Sequence, residues 1–141
     1  MQVFVPYPSP IDVAKCLDSK RLRKQIIECA QIMLALEGES SAWINHPATK
    51  TYEHYYSWLH DYCLCLEYYL ANDFDMAEYW NDCANSCTPP FLFSEFCDQH
   101  KRRLYTKAPE LYHQFASYGK SDENWYFVDG EIVKYINGKR I

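Results

Sequence analysis

The chain has 141 residues and a formal net charge of −5, and nearly half of it is apolar or aromatic. That length supports one hydrophobic core without staples, whereas no apolar run approaches the roughly 20 residues of a membrane-spanning helix. Only four glycines leave little material for glycine-rich phosphate loops, and residues 1–8 lack the basic and long apolar stretches of a secretory signal.

In chain order, the opening is extended over residues 1–9. Ser9-Pro10 then reads as a helix start, with serine as N-cap, proline at the first helical position and Asp12 in the first turn. Leu22, Ile26, Cys29, Ala30, Met33 and Leu36 form a helical stripe ending near Gly38, and Arg21, Lys24 and Glu28 share the opposite face. After a polar loop, Asn45 or His46 precedes Pro47 at the start of a long helix. Its stripe is Tyr52, Tyr55 or Tyr56, Leu59, Cys63, Leu66 and Leu70. A shorter helix over residues 73–84 is expected to turn Met76, Tyr79, Trp80 and Cys83 inward, until Thr88-Pro89-Pro90 breaks the pattern. Another helix runs from Ser94 through Leu104, with a short one over residues 109–115. Asp129-Gly130 between β-rich flanks predicts a hairpin over residues 125–136. The expected fold is therefore mainly α: a single compact domain with a helical core at residues 10–118 and a C-terminal β-hairpin.

Charge divides the chain more sharply than its total suggests. Residues 51–98 hold nine acids (Glu53, Asp61, Glu67, Asp73, Asp75, Glu78, Asp82, Glu95 and Asp98) and no lysine or arginine. All fourteen basic residues lie in the flanks, densest at Lys15, Lys20, Arg21, Arg23 and Lys24 and again at Lys101, Arg102, Arg103 and Lys107. A fold that joins those clusters has one cationic face despite an acidic total; otherwise they are two separately solvated helix faces.

Seven cysteines without a secretory signal read as free thiols of a reducing cytosol. Cys63 and Cys65 are two apart on a helix and point to different sides, so they do not readily share a zinc ion. The expectation is small buried hydrophobes, with no metal and no cofactor.

Four constellations could carry chemistry. On the face Lys20, Arg21, Lys24 and Glu28, a carboxylate beside cations suits proton transfer next to a gripped phosphate; an ordinary surface helix looks the same. His46 before Pro47 suits either a cap or a site. His100, Lys101, Arg102, Arg103 and Lys107 could hold phosphates or simply complement a helix end. Trp125-Tyr126 with Lys134-Tyr135 and Lys139-Arg140 suit base stacking or plain packing. Dinucleotide fingerprints, phosphate loops, zinc helices and serine-hydrolase elbows are absent from the sequence.

Three stretches are more specific in their order and spacing. They are Phe4-Val5-Pro6-Tyr7-Pro8 leading to Leu17-Asp18-Ser19-Lys20-Arg21-Leu22-Arg23-Lys24-Gln25 and Glu28; then Trp43 with Asn45-His46-Pro47-Ala48; then Pro89-Pro90-Phe91-Leu92, His100, Leu104, Lys107 and Pro109-Glu110-Leu111-Tyr112. Together they resemble the pyrimidine-dimer DNA glycosylase family, the endonuclease V-type excision proteins of phages and bacteria. The resemblance implies a small all-α fold, DNA repair, damaged or modified DNA as partner and the cytoplasm of a bacterial or phage-infected cell. It implies glycosylase activity on damaged or modified pyrimidines such as the pyrimidine dimer, with or without abasic-site lyase activity.

By position it implies Glu28 as the acid/base residue, with Lys20, Arg21, Lys24, His46, His100, Arg103 and Lys107 on the phosphates. In that family an N-terminal α-amine attacks C1′ of the damaged nucleotide, and a small second residue lets the initiator methionine be removed. Gln2 is bulky and should prevent that trimming. Either the Met1 amine substitutes, or Lys24 forms the imine, or the lyase step is missing; an α-amine near pKa 8 loses its proton more readily than an exposed lysine near 10. Two other readings share these residues: a nucleotide or modified-base binder without this catalysis, and a phage factor that engages a host protein through the acidic middle.

Overall fold

The computed structural model describes residues 2–141. Six α-helices lie among them, α1 (Pro10–Cys16), α2 (Ser19–Leu36), α3 (Pro47–Tyr52), α4 (Tyr56–Leu70), α5 (Phe74–Asn85) and α6 (Ser94–Lys107). A 3-10 turn (His113–Tyr118) follows, and then an antiparallel sheet of β1 (Asn124–Val128), β2 (Glu131–Ile136) and β3 (Lys139–Arg140) in sequential order. One buried apolar cluster runs from Val3 to Val133 and draws on every α-helix, α5 contributing Ala84. The mainly α reading with a C-terminal hairpin is borne out.

The extended amino terminus is threaded through the core, where Val3 and Val5 are buried and backbone groups of Phe4 and Val5 find partners. The Val5 N–H donates to His100 Nδ1 at 2.7 Å, and the Phe4 carbonyl accepts from Gln25 Nε2 at 3.0 Å and from Tyr62 Oη at 2.8 Å. A buried strand without a ladder needs such side-chain partners, since each orphaned group costs about 1–3 kcal/mol.

Ser9 and Pro10 do start α1, but Ser9 makes no cap bond to its own helix. Asn81 of α5 accepts from both the Ile11 N–H (2.9 Å) and Ser9 Oγ (3.1 Å), so α1 is capped by a neighbour. α2 is capped by Asp18, which accepts from the Arg21 N–H at 3.4 Å. Its buried stripe is Leu22, Gln25, Glu28, Cys29, Ile32 and Ala35, one step round from the expected stripe. Ile26, Met33 and Leu36 pack only at the margin.

The long helix expected after Pro47 is two helices, broken after Tyr52 at a turn closed by Tyr55 N–H to the Tyr52 carbonyl (2.9 Å). The break lets Tyr52 stack on Trp58 with ring centroids 5.8 Å apart. α5 also differs: Ala77, Asn81 and Ala84 face inward, and Tyr79 is 55 % exposed. Small side chains let α5 lie close against α4 and α1, which the larger residues would hold apart.

The β1–β2 hairpin turns at Asp129-Gly130, both with positive φ (52° and 81°), as a two-residue hairpin loop requires. Asn137 and Gly138 repeat that geometry and fold back β3, a strand the sequence reading did not include. β1 packs on α3 and α6, and the Phe127 N–H donates to Thr51 Oγ1 at 3.2 Å. That docking carries Asn124, at the head of β1, beside α6.

Candidate active site

An open cleft of about 260 Å³ lies where α2, the end of α6 and the head of β1 meet. α2 supplies Lys20, Arg21, Lys24 and Glu28; α6 supplies Arg103 and Lys107; β1 supplies Asn124. The buried residues Gln2, Phe4 and Gln25 complete the lining. The two basic flanks of the sequence therefore meet, and among the described residues none of the nine acids of residues 51–98 lines the cleft. α5, with Asp75, Glu78 and Asp82 exposed along it, packs on α4 and α1 instead.

Glu28 is the carboxylate of this site, and it is only 8 % exposed. It lies one turn beyond Lys24 on the same helix face, with Lys24 Nζ 3.8 Å from Glu28 Oε1. Burial pushes its carboxyl above the ordinary carboxylate range. The Lys24 ammonium and a hydrogen bond from the Gln2 backbone N–H pull back in the other direction.

The cations are held in different ways. Arg21 Nη1 is 3.2 Å from Asp18 Oδ1, and its guanidinium lies 5.6 Å from the centroid of the Tyr112 ring. Burial alone would raise Asp18, but hydrogen bonds from Tyr112 Oη and Arg21 together hold it below the usual value. Asp18 thus stays charged and keeps the Arg21 side chain in place. Arg103 is fixed by Nε to Asn124 Oδ1 and Nη1 to the Ser121 carbonyl, both 2.8 Å. The rest of its planar fork has no partner among the described residues, which suits a phosphate.

Lys107, on the last turn of α6, makes no hydrogen bond or ion pair among the described residues. Partial burial lowers its pKa, and the positive charges of Arg103, Lys24 and Arg21 lower it further, against the pull of Glu28.

Two histidines expected at the phosphates are elsewhere. His46 caps α3, with Nδ1 accepting from the Ala48 N–H at 3.0 Å, and its ring meets the edges of Trp43 and Tyr126. It does not line the cleft, and burial lowers its pKa. His100 is 1 % exposed, packed between Phe4 and Phe96. Burial drives its pKa down to about 3, assisted by Arg103 and opposed weakly by the Trp125 carbonyl. Because Nδ1 accepts from Val5, the neutral ring carries its proton on Nε2. His100 is a structural post for the amino-terminal strand and cannot reach a phosphate on the surface. Met1 lies outside the described residues.

Gln2, Gln25 and Asn124 were not anticipated at the site. Gln25 belongs to the Lys-Gln pair of the sequence motif, yet nothing in its spacing announces a buried bridge to Phe4 and Tyr62. Asn124 sits just ahead of the hairpin and carries no signal of its own. Among the described residues, no group of three or more His, Cys, Asp and Glu side chains could hold a metal ion. No helix there is long and apolar enough to cross a membrane.

The arrangement can bind an anionic polymer and deliver a proton beside it: five cations ring a carboxyl that holds its proton more tightly than an exposed one. No curated protein and no solved structure matches the chain. Its first 68 residues, which supply Lys20, Arg21, Lys24 and Glu28, match the family model described as pyrimidine dimer DNA glycosylase, and this match supports the family membership that the sequence motifs imply.

Proposed function

We propose that this protein is a DNA N-glycosylase acting on a damaged or modified pyrimidine, with Glu28 as its acid/base residue. The observation that carries the reading is a nearly buried carboxyl inside an open cleft whose other charged groups are all cations. Breaking the C1′–N1 bond sends the bonding pair to the base, which must take up a proton; a carboxyl with a raised pKa is suited to supply it. Arg21, Arg103, Lys20 and Lys24 would hold the phosphates on either side, and the target nucleotide must leave the base stack to bring C1′ to Glu28.

Of the amines weighed for an abasic-lyase step, Lys24 is paired with Glu28 and its side chain is 74 % exposed, so it is better suited to a phosphate. The Met1 α-amine is the other amine for that step.

The test is release of free base from duplexes carrying single defined lesions, a pyrimidine dimer among them, by wild type and Glu28→Gln. Wild type should release base from at least one, and Glu28→Gln should be slower by about 100-fold or more. Tight binding without base release would favour a modified-base binder, and indifference to DNA would remove the reading.

A further inference from the structure

We propose that the side-chain carbonyl of Gln25, on the floor of the cleft, accepts from the N3–H of the extruded base and so selects thymine- or uracil-derived targets. The inference rests on the glycosylase reading above and adds to it the residue that reads the base and the edge it reads.

Gln25 is only 2 % exposed, yet it lines the cleft between Arg21 and Glu28, one helical turn from each on α2. Its amide is locked. Nε2 gives one hydrogen to the Phe4 carbonyl at 3.0 Å and the other to Tyr62 Oη at 2.9 Å. Tyr62 Oη gives its own hydrogen to the same Phe4 carbonyl at 2.8 Å, which closes the triangle. A carbonyl oxygen accepts and never donates, so a flipped amide would set Oε1 against Phe4 and lose these bonds. Oε1 is thereby fixed on the other side of the amide, where it has no hydrogen-bond partner among the described residues. Gln2 Oε1 is unpartnered too, but it is sealed from solvent; Gln25 Oε1 is not, and the open space that Gln25 lines is the cleft. An acceptor this deep and this rigid favours a ligand that donates to it and rejects one that cannot.

The neighbouring groups indicate which donor. The five cations of the cleft can only donate, and Asn124 Oδ1 is spent on Arg103 Nε at 2.8 Å. Glu28 is engaged as the proton carrier. What remains is one fixed neutral acceptor among donors. A thymine or uracil ring presents the complement, a single N–H at N3 between the O2 and O4 carbonyls. A cytosine-derived ring has a bare N3 there, which would meet Oε1 lone pair to lone pair.

The experiment measures single-turnover cleavage of the glycosidic bond in duplexes carrying one thymine dimer, one 5-hydroxyuracil or one 5-hydroxycytosine, the first two also with N3 methylated. Wild type should cleave at the dimer or at 5-hydroxyuracil, and N3 methylation should slow that cleavage by about 100-fold or more. Methylation also removes a base-pairing hydrogen and eases extrusion, so weakened pairing cannot produce the slowing. Gln25→Met keeps the length of the side chain without the acceptor. It should be slower on the unmethylated lesion by a similar factor and lose less than about ten-fold more on methylation, because both changes remove one contact. Penalties that multiply, methylated lesions cleaved as fast as unmethylated ones, or 5-hydroxycytosine cleaved as fast as 5-hydroxyuracil or faster would overturn the Gln25 assignment and leave the glycosylase reading standing. No cleavage in any duplex would overturn both. The methylation comparison uses the wild-type chain, so misfolding of the variant does not blunt the test.

Discussion

Glu28 and His100 are both buried ionisable residues on helices that line the same region, and they answer to opposite demands. Glu28 faces the cleft, so burial tunes a group that can still meet a ligand. His100 faces the core, where its only task is to accept from Val5. Its pKa of about 3 lies below the ordinary histidine value near 6.5. The unfolded chain therefore binds a proton that the native chain refuses, and stability is full above about pH 6.5 and lost as pH falls toward 3. Urea unfolding between pH 7 and pH 4 should show a loss of several kcal/mol, part of which His100→Gln removes. An identical acid limb in that variant would contradict the assignment. The sequence carried the warning, since Phe96, His100 and Leu104 are spaced four apart and share a buried face. The adjacent Lys-Arg-Arg run made a surface role look natural, and charge outweighed periodicity in the reading. Glu28 was legible because its motif is specific and because Lys24 stands one turn before it.

At the scale of elements, α2 was legible as a helix and as the carrier of the cationic face, because helical spacing alone places Arg21, Lys24 and Glu28 together. The break between α3 and α4 was not, because no glycine or proline marks residues 53–55; tertiary stacking of Tyr52 on Trp58 decides it. α5 misled for a related reason. Its large residues suggested an inward stripe, whereas close helix packing selects Ala77, Asn81 and Ala84. The hairpin was legible from Asp-Gly, but its service to the site was not. It holds Asn124 against Arg103, which links the sheet to the cleft. Asn124→Ala should loosen Arg103 and weaken binding to an abasic-analogue duplex by about 1 kcal/mol, close to five-fold, with little change in thermal stability. Unchanged affinity would show that the Ser121 carbonyl alone suffices to hold Arg103.

Over the whole molecule, the basic–acidic–basic order along the chain becomes a separation in space. Residues from both basic flanks meet around Glu28, and the acidic α5 is carried away on the outer side of α4. Net charge alone would have argued against nucleic acid, and the folded distribution reverses that argument. Only part of the flanking charge joins the cleft: Lys101 is spent on Asp98 at 3.0 Å and lies over the Tyr7 and Tyr118 rings, and Arg102 is spent on Gln99 and the Tyr118 carbonyl. Lys134 covers Trp125 at 4.5 Å, so the aromatic and basic tail is occupied in packing the sheet. Which cations a site uses is thus a matter of the folded partners, and composition could indicate the clusters but not the members.

The central claim is that α2 and α6 form one DNA-binding cleft. Lysine footprinting tests it most directly: acetylate the full-length protein with and without a saturating duplex bearing a tetrahydrofuran abasic analogue, and read each lysine by mass spectrometry. Lys20, Lys24 and Lys107 should be protected together, while Lys15 and Lys139 keep their reactivity. Protection of Lys134 and Lys139 instead, or of Lys20 and Lys24 without Lys107, would contradict a shared cleft.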